Sequence, residues 1–164
     1  MMISTELQDG FNQQIGHEFS AVMQYLGIAG YFKDENLTLF AKLFFEQAEE
    51  EKEHALKFVH YMLDTDGALR IPVIPEAKFD FKTGEQAVEA ALNWEKEVTA
   101  QINHLMDIAV QQHDYLAQNF LDWFIDEQLE EVTKMEQLLS VVRRAGENNL
   151  LMVEAYLAHL GKAG

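Results

Sequence analysis

The chain has 164 residues, 48% of them apolar, with 12 basic against 28 acidic side chains and a formal charge of −16. So acidic a surface repels phosphate backbones and excludes nucleic acid as a partner, and no apolar run nears the roughly 20 residues of a membrane span. The absence of cysteine excludes disulfides, thiolate zinc sites and iron–sulfur clusters.

The opening residues, MMISTELQDG, lack a basic region followed by an apolar one, so no secretory signal is read and a cytoplasmic location is expected. One domain over residues 1–164 has the length for a sizeable core. With only 2 prolines and 9 glycines as breakers, long helices are expected. The first is read over about 5–33, after a Ser4 or Thr5 cap, and the polar turn KDEN follows it. The second spans about 37–65 and stops near Gly67, expected as a left-handed residue. The third, about 84–112, opens on a capping box of Thr83 and Gln86. A fourth covers about 115–145, with Gly146 as its stop, and a short fifth covers about 149–160.

Between the second and third helices lies GALRIPVIPEAKFDFK, which holds both prolines and has no helical period. A helix of about 28 residues is roughly 42 Å long, and about 16 extended residues reach roughly 53 Å. The segment can therefore traverse the bundle and make those two helices parallel, while short turns make the other consecutive pairs antiparallel. The expected fold class is all-α: a four-helix bundle with one long crossover and a short C-terminal helix.

Each long helix carries an apolar stripe at alternating spacings of four and three, the seam of a bundle core. In the first helix Phe11, Ile15, Val22, Ala29 and Phe32 form it, and Glu18 and Tyr25 complete it. Glu51 interrupts the second stripe, Glu95 the third, and Gln128 with Glu131 the fourth. A single polar residue in a seam often sets register, but four carboxylates at matching heights repel one another and cost several kcal/mol each if unpaired. No lysine or arginine lies on these seams, which leaves shared protons or bound cations. His54, three residues after Glu51 in EEEKEH, favours cations and brings iron, manganese or zinc into range. The carboxylates suffice for two metals bridged by a shared glutamate. Glu49 and Glu53 are expected to face outward.

At this point the chain resembles a ferritin of the haem-free bacterial type, over essentially its full length. The motifs that carry the likeness are GHEFSAVMQY, EEEKEH, NWEKEV and WFIDEQLEEV. The resemblance implies a ferroxidase centre that oxidises Fe(II) with O2 or peroxide, and a cage of 24 chains storing ferric mineral. Glu18, Glu51 and His54 would hold a first iron, with Glu51 bridging to a second held by Glu95 and Glu131, and Gln128 close by. Glu50, Glu127 and Glu130 match a third iron site of some bacterial ferritins, although a solvated helix face also accounts for them. Tyr25 and Trp123 match auxiliary aromatics that supply electrons to such a centre, although packing also accounts for Trp123.

The departures are informative. Where bacterioferritins repeat Glu-x-x-His on the fourth helix this chain has Gln128-Leu-Glu-Glu131, and Lys52 stands where their haem-ligating methionine would be, so no haem is expected. Gln118 and Leu121 stand near the acidic positions of the family's threefold pores. A di-metal oxidase acting on an organic substrate is the main rival, and a bundle whose glutamates share protons is the other.

Overall fold

The computed structural model describes residues 2–163, with the side chains of 162 and 163 left aside. It contains α1 (Thr5–Asp34), α2 (Thr38–Asp64), α3 (Gly84–Gln111), α4 (Tyr115–Ala145), a 3-10 turn at Glu147–Asn149 and α5 (Leu150–Ala163). The five expected helices are all present, each boundary within a few residues of its reading.

Local chemistry explains most of the ends. Ser4, not Thr5, caps α1 by accepting from Leu7 N at 3.2 Å. Thr83 accepts from Gln86 N at 3.1 Å, while Gln86 reaches back to Lys82 N, so the capping box closes one residue further out than expected. Asp114 caps α4 through Ala117 N at 3.0 Å. α2 is the exception: its N-cap is Leu37, which offers no side-chain acceptor. Glu154 of α5 takes that part, accepting from Leu39 N and Phe40 N at 2.8–2.9 Å. Glu147 similarly accepts from Gly84 N at the start of α3 at 2.7 Å.

Gly146 ends α4 with φ of 77°, as expected, but the stops of the first three helices are not glycines. Asn36, Asp66 and His113 have φ of 59°, 56° and 53°, and after each the next amide bonds back to a carbonyl five residues earlier, at Phe32, Met62 and Ala109. This corrects the reading of Gly67, whose amide makes that closing bond while Asp66 takes the left-handed geometry. Asn and Asp tolerate it because their short polar side chains bond locally.

The crossover runs alongside α1, in the same direction. Asn12 bonds Ala68 O and Arg70 N, Gln24 bonds both backbone groups of Lys78, and Tyr31 meets Phe81 edge-on. Pro72 lies so close to Gly16 that a Cβ there would come within 2.3 Å of its ring. This path delivers the start of α3 beside Phe32 at the end of α1, where α2 also begins, so α2 and α3 are parallel as expected.

The core divides into two apolar blocks. One gathers Phe32, Phe40, Phe44, Val88, Leu139 and Val142, with Phe32 stacked on Phe40 at 4.5 Å between centroids. The other gathers Phe11, Ile15, Phe58, Ile102, Leu121 and Phe124. Each fully buried Phe or Leu contributes about 1.5–3 kcal/mol, and these blocks hold the intervening polar layer in place.

Candidate metal centre

Between the two blocks lie the seam residues Glu18, Glu51, His54, Glu95, Gln128 and Glu131, all buried. Each of the four long helices contributes at this height. Their ligand atoms fall into three overlapping groups, each within 4.8 Å: Glu18 with Glu51 and His54, Glu51 with Glu95 and Glu131, and Glu50 with Glu127 and Glu131. Glu51 belongs to the first two groups and Glu131 to the last two.

The hydrogen bonds differ from group to group. In the first, His54 Nδ1 lies 3.2 Å from Glu51 Oε2, and Gln14 donates to Glu18 Oε1 at 2.7 Å. Glu18 Oε2 is buried with no hydrogen-bond partner among the described residues. In the second, Tyr25 donates its hydroxyl proton to Glu95 Oε1, and Gln128 Nε2 donates to Glu95 Oε2 at 3.1 Å and to Thr99 Oγ1 at 3.2 Å. Gln47 Nε2 donates to both Glu51 and Glu131.

Burial dominates the electrostatics. It pushes the Glu18 and Glu51 carboxyls well above the ordinary range, and Glu51 and Glu95 respectively add repulsion. Glu95 is raised by burial too, and Glu131 is pushed up to about 7 by burial against the opposing pull of Lys134. The Tyr25 phenol is held protonated by burial and by the facing Glu95. Without a cation the layer therefore retains protons, and a divalent ion entering it displaces them. An orphaned buried carboxylate oxygen, one imidazole and a shared glutamate between adjacent groups fit a pair of hard or borderline cations.

Trp123 is 40% exposed, with its ring 5.4 Å from that of His54 and under the Lys57 ammonium at 4.3 Å. Glu50 and Glu127 are partly buried at the edge of the third group. Glu130 is not with them: it is exposed and joins none of the groups, because Glu131, one position round the helix, takes that corner. Glu49 and Glu53 are exposed as expected.

Three supporting residues were not anticipated. Gln14 and Gln47 stand four residues before Glu18 and Glu51, one turn away on the same faces, and that spacing was the available signal. No lysine or arginine lies on a seam, as read, but Lys134 flanks one, and its ammonium reaches Gln47 Oε1 at 2.7 Å and Glu50 at 3.7 Å.

The family model of the ferritin-like domain matches residues 8–145. The chain belongs to the ferritin family. It is 40% identical over 146 residues to the Ferritin BfrB of Mycobacterium tuberculosis, covering 89% of this chain and 80% of that protein. It is 34% identical over 159 residues to a bacterial non-heme ferritin of Staphylococcus saprophyticus, covering 96% and 95%. Among solved structures, an open pore ferritin from Archaeoglobus fulgidus superposes with a TM-score of 0.91 at 28% identity, covering 95% of this chain and 96% of that one. The ferritin bundle accounts for the crossover and the short fifth helix together. Among the described residues no helix is long and apolar enough to cross a membrane.

Proposed function

We propose that the chain is a subunit of an iron-storage cage that oxidises Fe(II) at the buried carboxylate layer. The observation that carries this reading is the pair of three-residue groups joined by Glu51, one of them with a buried oxygen left unpartnered. Family membership supports storage, and the donor chemistry supports iron as the substrate.

In this reading Glu18, Glu51 and His54 bind one Fe(II), and Glu51, Glu95 and Glu131 bind the second, with Gln128 beside it. The glutamates give up their protons as the ions enter, and their anionic oxygens favour Fe(III) over Fe(II). Each iron loses one electron; O2 takes both electrons with two protons and leaves as H2O2. Peroxide as oxidant takes the same two electrons and two protons and leaves as two waters. The neutral amide of Gln128 offers at most a weak ligand, which suits onward release of the product. Glu50 and Glu127 extend the path as a third iron site. Tyr25, bonded to Glu95, and Trp123, packed on His54, are the auxiliary electron donors: one electron from each, with the two from iron and four protons, would carry O2 on to two waters.

Assembly follows from α5. Leu150 and Val153 are buried against the bundle, while Leu151, Met152, Tyr156 and Leu160 are exposed. Those exposed side chains would be covered by other copies, in a homo-oligomer of 24 chains in the cytoplasm. An oxidase of organic substrates needs a cavity at the metals. Cavities of about 540 and 360 Å³ lie elsewhere, lined by residues such as Leu43 and Tyr156 or by Phe120 and Trp123, and none of the seam glutamates faces them.

The deciding experiment adds Fe(II) aerobically to the metal-free protein, then measures iron in the size-exclusion peak. Fast oxidation and a large particle holding far more than two irons per chain are expected. His54→Ala and Glu131→Ala should slow the fast phase by tenfold or more, on the order of one lost ligand contact of about 1.4 kcal/mol or greater. A small oligomer with at most two metals per chain removes the cage reading.

A further inference from the structure

The two groups that share Glu51 differ in how their oxygens are engaged. In the first, Glu18 Oε2 is buried with no hydrogen-bond partner among the described residues. Every carboxylate of both groups accepts from a neutral side chain, Glu18 from Gln14, Glu51 and Glu131 from Gln47, and Glu95 from Tyr25 and Gln128, but in the second group both oxygens of Glu95 are engaged in this way. Gln47 is fully buried, and its amide has a defined orientation. An ammonium only donates, so Lys134 at 2.7 Å requires Gln47 Oε1 to face it and Nε2 to face the two glutamates. Lys134 also brings a full positive charge to the side of the layer on which Glu131 and Glu50 lie. A cation entering the second group meets donors on the oxygens it needs and a like charge close by.

We propose that Lys134, acting partly through Gln47, sets the order of metal binding: it lowers the affinity of the Glu51–Glu95–Glu131 group for a divalent cation relative to the Glu18–Glu51–His54 group. The inference rests on the two-metal reading above. Lys134 is a positioning residue here, touching neither ion. Its consequence is a second position that fills last and empties first, so that oxidised iron departs from the side lined by Glu131, Glu50 and Glu127.

The test is calorimetric titration of the metal-free assembly with Co(II) alone, at low salt, for wild type, Lys134→Gln and Lys134→Arg. Wild type should fill the two groups that share Glu51 in two resolved steps, with any ion at the Glu50–Glu127 corner separated from them by its loss in Glu127→Gln. Lys134→Gln retains a donor for Gln47 but removes the charge, so its second step should tighten about tenfold, the scale of one charge acting on a divalent ion across several ångströms of well-screened medium. Its first step should stay within about twofold, and Lys134→Arg should match wild type. The gain in Lys134→Gln should shrink at about 1 M salt, where exposed charges are screened. The proposal fails if the second step is unchanged or weaker in Lys134→Gln, or if both steps move together. Uptake of fewer than two ions by wild type overturns the two-metal reading itself, and the proposal with it.

Discussion

A buried carboxylate with no metal ion beside it holds its proton, and that sets the pH response of the metal-free protein. Glu131 is raised from 4.5 to about 7, so between those values the folded state binds a proton that the unfolded state has released. Its contribution to stability is complete below about pH 4.5 and is lost as pH rises through about 7. The metal-free protein should therefore lose roughly 2–3 kcal/mol between about pH 5 and pH 8 from this group. Thermal unfolding across that range measures it, and Glu131→Gln, which cannot ionise, should flatten the slope. Equal slopes in the two proteins would assign the effect to other groups. His113 supplies a second case at this scale. It holds φ of 53° with an exposed side chain, a geometry that glycine adopts without steric cost. His113→Gly should raise stability by about 0.5–1 kcal/mol, read as a higher unfolding midpoint.

Helices in this chain are punctuated partly by neighbours in sequence and partly by neighbours in space. Ser4 and Thr83 cap their own helices and were legible from spacing, whereas Asp114 caps α4 in the same way without having been read as a cap. The start of α2 was legible only as a boundary, because its acceptor, Glu154, is 115 residues away. The seams explain why the site could be read: a side chain's place on a helix face follows from a period of 3.6, so Glu18, Glu51, Glu95 and Glu131 could be aligned by counting. Gln47 could have been found the same way, but Lys134 could not, since a long flanking side chain meets the layer only once two helices are packed. Which residue takes the left-handed stop was also beyond counting, because Asp66 and Gly67 both suit it and the length of α2 decides. Glu154→Ala should cost about 1 kcal/mol, a normal capping loss. Hydrogen exchange at the Leu39 and Phe40 amides should quicken along with that of α5, whereas exchange confined to α5 would mean the carboxylate is not the cap.

At the scale of the whole molecule, assembly is a contest between charge and apolar area. A chain carrying −16 repels its copies, and the exposed face of α5 opposes that repulsion, with Leu151 and Met152 at 73% and 69% exposure. In the cage reading, Leu151→Glu combined with Met152→Glu should leave small oligomers in size-exclusion chromatography, while the metal-binding steps of each chain persist. A full-sized particle from that variant would place the burial of α5 elsewhere. Added salt should favour the large form by screening repulsion across the acidic surfaces.

The cap on α2 also has a history in time. A ribosome releases residues in order, and the first turn of α2 emerges long before Glu154 is made. Through most of synthesis the Leu39 and Phe40 amides have no acceptor but water, and the start of α3 waits in the same way for Glu147. The end of the bundle where α2 and α3 begin is thus finished only by residues made after all four long helices, so a chain that has just completed α4 still has an open end there. In the cage reading, the segment that completes this end of the bundle also carries the exposed apolar face that other copies would cover, so that face is made only after the four long helices.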